Sequence, residues 1–224
     1  MTDVIAVPIS EKTNQLSTAF LSKQAAGDAG AAEALIERVD GMSEDMLNLF
    51  LVKPTQFISL SNGQQKIINF AVNTAEKASH MLTRQIFKKK TPAELSGIAT
   101  LMKEQMWEAE DANNQQTRIA VPVSSDLVKE FEQARAAADA GEAKANVSLL
   151  TSAMDQLTEE ILNNFFLRPT QEVKMGFVTQ KALNVGVEGS RKAIQTVTGR
   201  VMGELNEEAL AGFLEHFGQV MLKR

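Results

Sequence analysis

"FLVKPTQ" occupies Phe50–Gln56, and "FLRPTQ" returns at Phe166–Gln171. Pro54 and Pro169 stand 115 positions apart, and the correspondence continues at that offset. Leu47 matches Leu162, Phe50 matches Phe165, Gln65-Lys66 match Gln180-Lys181, and Gly97 matches Gly212. "VIAVPIS" (Val4–Ser10) and "RIAVPVS" (Arg118–Ser124) match at an offset of 114. Roughly a quarter of the aligned positions are identical, with similar apolar spacing between them, the signature of an internal repeat. The tripeptide "DAG" at Asp28–Gly30 and Asp139–Gly141 gives a second, differently spaced anchor. The sequence therefore divides into residues 1–112 and 113–224, two copies of a unit of domain size.

Within each copy the apolar residues recur at spacings of three and four, which specifies amphipathic helices. The first helix places Leu16, Ala19 and Phe20 on one face, matched by Leu127, Phe131, Ala134 and Ala138. Ser10 or Thr13 can cap it. The second carries Leu35, Val39, Met42, Met46 and Phe50, matched by Leu150, Met154, Leu157, Ile161 and Phe165. It runs into the repeated turn. There Lys53 and Arg168 suit a helix C-terminus. Pro54 and Pro169 end that helix and open the next, and the Thr and Gln side chains can serve free turn amides. Thr55, Gln56, Thr170 and Gln171 are also the candidate ligand or partner contacts.

The third helix is expected over about 65–90 and 173–205. "SNG" (Ser61–Gly63) breaks or starts it. Ala182, Gly186 and Ser190 recur every fourth residue and share a face with one another, as do their counterparts Ile67, Ala71 and Ala75. Small residues at this spacing predict close helix packing, since glycine inside a helix costs about 1 kcal/mol against alanine. "KKKTPAEL" (Lys88–Leu95) then marks a boundary, with Thr91 as cap, Pro92 next and Glu94 completing a capping box. Asn206 repeats the cap. A fourth helix follows, with Trp107 closing it before the polar linker "AEDANNQQT" (Ala109–Thr117). Each copy opens on a β-branched segment around an Ala-Val-Pro arm, where proline favours an edge strand or a packed arm over a central strand. The fold class is all-α: a tandem duplication of a roughly 110-residue multi-helix unit, forming one or more antiparallel bundles behind short extended arms.

Composition narrows function. The chain of 224 residues has no cysteine and a net charge of -5. Thiol chemistry is excluded, and the charge argues against a general nucleic-acid surface. The N-terminus resembles no secretory leader, so a cytoplasmic protein is expected, and the chain's compactness without low-complexity tails suggests a bacterial one. There is no tyrosine, and there are two histidines, His80 and His216. His80 shares a face with Glu76, and both histidines are expected at the surface or an interface. One Glu/His pair is not a metal site, and no Ser/His/Asp constellation can be assembled. "GVEGSRK" (Gly186–Lys192) lacks the phosphate-loop spacing. Neither catalysis, metal nor cofactor is therefore expected.

The leading expectation is a non-enzymatic interaction or scaffold protein with two similar partner-binding faces, its partner a protein or a second copy. The long Ala/Phe/Met helices and the capped phrase "KKKTPAELSGIATLMKEQM" (Lys88–Met106) resemble phasins, the helical proteins of polyester storage granules. That resemblance covers part of each copy and implies a coat on a granule or lipid surface. A ligand-sensing bundle with an apolar pocket between helices is the third class.

Overall fold

The computed structural model describes residues 2–57, 60–108 and 116–224. The chain is mostly helical and carries a small four-stranded sheet. The sheet runs in the order β2-β3-β1-β4, with β1 at Asp3–Pro8, β2 at Met106–Glu108, β3 at Thr117–Pro122 and β4 at Met221–Lys223. The arms expected at an edge are thus the two central strands. Proline permits this because Pro8 and Pro122 each stand last in their strand, outside the ladder's interior. Trp107 likewise lies in β2 rather than in a helix, opposite Arg118.

β1 and β3 pair antiparallel with Ala6 opposite Ala120, Ile5 opposite Val121 and Val7 opposite Ile119. Alternation sends Ile5, Val7, Ile119 and Val121 into the main core. Val4, Ala6 and Ala120 form a smaller cluster with Trp107 and Leu222. Met106 faces Ile119 on one flank, and Met221 faces Ile5 on the other.

The helices follow one order twice. α1 (Glu11–Ala25) and α5 (Ser125–Asp139) have 15 residues each. Their N-caps are Ser10 and Ser124, whose hydroxyls accept from the Thr13 and Leu127 amides. A carboxylate of the following helix then accepts each cap's own N–H: Ser10 donates to Asp45 at 2.9 Å, and Ser124 to Glu160 at 3.0 Å. Gly27 (φ 69°) and Gly141 (φ 73°) turn the chain out of these helices in the left-handed region that glycine occupies without strain. Gly141 therefore matches Gly27 and not Gly30, which displaces the "DAG" anchor. Asp139 ends α5, whereas the Asp28 carboxylate accepts from the Gly30 amide at 2.6 Å.

The buried face of α1 is Thr13, Ser17 and Phe20, not Leu16 and Ala19. Its small residues follow from a close approach to α2 (Ala31–Leu47), where a Cβ on Gly41 would lie 2.9 Å from Thr13 Oγ1. α2 and α6 (Val147–Ile161) each run on into a π-helical turn, Asn48–Val52 and Leu162–Leu167. The repeated turn thus begins without a break. Lys53–Phe57 is 3₁₀-helical, and Arg168–Gln171 forms the short α7 with proline in its first turn. α3 (Asn62–Phe87) and α8 (Phe177–Met202) have 26 residues each and pack against one another. α3 starts and ends slightly before the expected 65–90, whereas α8 starts later and ends sooner than the expected 173–205. Ser61 starts α3 through a capping box with Gln64. Thr91 and Glu94 exchange the expected bonds before α4 (Ser96–Gln105), and Asn206 caps α9 (Glu207–Gly218) through the Ala209 amide. The linker at 109–115 lies outside the described residues.

Candidate functional site

Residues of both halves line a partly open cavity of about 130 Å³, to which α3 and α8 each contribute. Matched positions of both halves line it: Met46 and Ile161, Ala75 and Ser190, Phe50 and Phe165. The π-helical turns bring Leu51 and Phe166 to the same wall.

The lining departs from this correspondence at α4 and α9. Ile98, Leu101 and Met102 of α4 border the cavity, whereas no α9 residue does. The matching α9 residues are Phe213, His216 and Phe217. Phe217 stacks on Phe50 at 5.7 Å between ring centroids and meets Phe213 at 4.6 Å. Three larger rings fill one side, and three smaller aliphatic chains leave space on the other.

The hydroxyls of Ser43, Ser79, Thr83, Thr158, Thr170 and Ser190 also line this largely apolar space, but two polar groups in it carry buried atoms without a partner. Arg38 is half-buried as a residue, but its Nε is shut off from solvent and has no hydrogen-bond partner among the described residues. Desolvation pulls the guanidinium down to about 10, so it stays charged at neutral pH. The Gln105 residue is 8% exposed, and its Nε2 is likewise buried without a partner among the described residues. Both line the cavity. The matching positions of the second half are the buried, apolar Ala153 and Val220. The first half therefore brings a cation and an amide donor to the lining, where the second half has alanine and valine at the matching positions.

Neither group was singled out by the helical stripes. The signal lay in the comparison of copies, where Arg38 stands opposite Ala153 and Gln105 opposite Val220.

The Thr55 hydroxyl donates to the Val52 carbonyl and the Thr170 hydroxyl to the Leu167 carbonyl, each at 2.7 Å. Both therefore satisfy carbonyls three residues back rather than turn amides. Thr170 and Pro169 also border the cavity. Lys53, Arg168 and Gln171 are exposed and Pro54 is buried, while the Gln56 side chain lies outside the described residues. Of the small-residue stripe, Ala75, Gly186 and Ser190 line the cavity, Ala71 is buried, and Ala182 is half-buried away from it. A Cβ on Gly186 would fall 2.2 Å from Leu82 Cδ1.

The histidines part company. His80 is exposed, and its Nδ1 donates to Asp40 of α2 at 2.8 Å rather than meeting Glu76. His216 is buried rather than at the surface, between α9 and the first π-helical turn, where its Nε2 donates to the Leu49 carbonyl at 2.9 Å. That carbonyl lies in a π-helical turn, where the ordinary helical partner is displaced.

Among the described residues no group of three or more metal-ligating side chains is assembled, and no helix is long and apolar enough to cross a membrane. Compared with known proteins, the chain matches no family model, no curated protein and no solved structure.

Proposed function

We propose that this chain is a binding protein rather than an enzyme: two fused copies of one helical unit that together hold a small apolar ligand. The observation that carries the reading is the cavity between the halves, lined by matched residues of both. The equal lengths of α1 and α5 and of α3 and α8 support the fused-copy part. The sheet register supports it too, since the Met106–Ile119 and Met221–Ile5 pairs occupy corresponding places. An apolar cavity near 150 Å³ is large enough for benzene, so the occupant's apolar part has about six carbons.

Calorimetric titration with 1-hexanol tests this against the variant Ala75→Leu, which adds three carbons to the lining. Saturable binding by the parent and its loss in the folded variant support the reading. Equal binding by both, or none by the parent, overturns it.

A second reading, an interaction or scaffold role, is favoured by the exposed side chains of α3 and α8. Phe70, Met81, Phe177, Val178 and Val185 are between 67% and 83% exposed, unusual for residues of this size. A protein partner, a second copy or a granule surface would cover them. Sedimentation of the parent beside Phe70→Glu and Val185→Glu separates self-association from the other two. A concentration-dependent dimer lost in either variant assigns the face to a second copy.

A further inference from the structure

We propose that the occupant is a small amphiphilic monocarboxylate, of hexanoate or benzoate size, whose carboxylate sits against Arg38 and Gln105. This deepens the ligand-binding reading above and rests on it.

The argument begins with an imbalance. Arg38 is half-buried and its Nε is cut off from solvent; a guanidinium keeps its charge in a protein, so leaving that buried N–H without an acceptor is costly. Buried cations are therefore normally paired. No ion pair or hydrogen bond to Arg38 occurs among the described residues, and burial is what acts on its ionisation. Gln105, buried in the same lining, offers a second unused donor. Two unmatched donors bordering one cavity define a place for an acceptor, and the positive charge selects an anion.

The rest of the lining sets the other half of the ligand. Leu157, Ile161, Leu183 and Val187 supply no donor or acceptor beyond their backbone. Thr158 and Thr170 are already committed, their hydroxyls donating to Met154 and Leu167 carbonyls. Ser43 and Ser79 bond each other at 2.7 Å, and the hydroxyls of Thr83 and Ser190 carry no charge, so a phosphate or dicarboxylate would bring more negative charge than the one guanidinium offsets. One carboxylate on a short hydrocarbon body brings no excess. Guanidinium and amide N–H groups suit its two oxygens, and such charge-assisted bonds are the stronger kind.

The chain as it stands is titrated calorimetrically with hexanoate, 1-hexanol and hexylamine at neutral pH. Hexanoate is expected to bind about tenfold or more tightly than 1-hexanol, the gain of one charge-assisted hydrogen bond, and hexylamine not measurably. In Arg38→Met the preference for hexanoate over 1-hexanol should fall to about one, while 1-hexanol binding persists. In Gln105→Leu it should fall part of the way. Should Arg38→Met fail to fold, the three-ligand comparison on the parent and the Gln105→Leu titration decide. Equal binding of hexanoate and 1-hexanol by the parent overturns the head-group assignment and leaves the apolar site standing. An undiminished hexanoate preference in folded Arg38→Met also overturns it. Failure of all three ligands to bind the parent overturns both readings.

Discussion

Ala6 faces Ala120 across the β1–β3 ladder, and the pairs on either side of them are related by exchange of the two halves. The proposed duplication gives positions 114 or 115 apart the same task, and one such task can be measured. Asp45 accepts the Ser10 amide and Glu160 the Ser124 amide. Removing either carboxylate leaves a helix cap's N–H short of its acceptor. Asp45→Ala and Glu160→Ala should each cost about 1 kcal/mol, the usual worth of such a bond. Chemical denaturation should show a loss in both variants, the larger in Asp45→Ala, since Asp45 also accepts the Ser10 hydroxyl at 3.1 Å. A loss in one half only would deny that the caps are equivalent.

Two of the glycines of α8, Gly186 and Gly189, should respond oppositely to substitution. A Cβ on Gly189 meets nothing within 4 Å, whereas one on Gly186 meets Leu82. Gly189→Ala should then stabilise by about 1 kcal/mol through helix propensity alone. Gly186→Leu should overpack the α3–α8 contact and cost about 1 to 3 kcal/mol. Thermal melts of the two variants would show shifts of opposite sign.

His216 and His80 are chemically alike but differently placed. His216→Ala strands the buried Leu49 carbonyl and should cost about 2 kcal/mol or more. His80→Ala gives up an exposed contact with Asp40 and should cost less than about 1 kcal/mol. Urea unfolding of both variants checks the order.

Glu94 holds its capping position through the Thr91 amide first, then the Thr91 hydroxyl and Lys90, and these hold its carboxyl down to about 2. Because the folded value lies below the unfolded one, the contribution is complete above the ordinary carboxyl range, near 4.3. It is lost as pH falls from there to about 2. In Glu94→Gln the melting temperature should fall less steeply over that interval than in the parent. An NMR titration of the parent should find this carboxyl still ionised where exposed glutamates have protonated.

The helices were legible because their apolar residues recur with the helical period. Leu35, Met42 and Met46 are buried as their spacing required, and Thr91 and Asn206 cap where their chemistry placed them. The sheet was less so. β2 and β4 have three residues each, too few for an alternation to register, and they exist because β1 and β3 present open edges. The π-helical turns carry no distinctive residue pattern, since NLFLV and LNNFFL read as ordinary helix. The cavity's unpartnered polar groups were the least legible. Arg38 lies beside Val39 on a helix whose exposed face also carries charge, and only the tertiary packing encloses its Nε.

Methionine methyl groups report directly on where a ligand goes. Met46, Met102 and Met154 line the cavity, while Met81 stands 70% exposed on the outer face of α3. A hexanoate titration of protein labelled with ¹³C at the methionine methyls should shift the first three resonances together and leave Met81 unmoved. A shift of Met81 with Met46, Met102 and Met154 unchanged would contradict the cavity as the binding site.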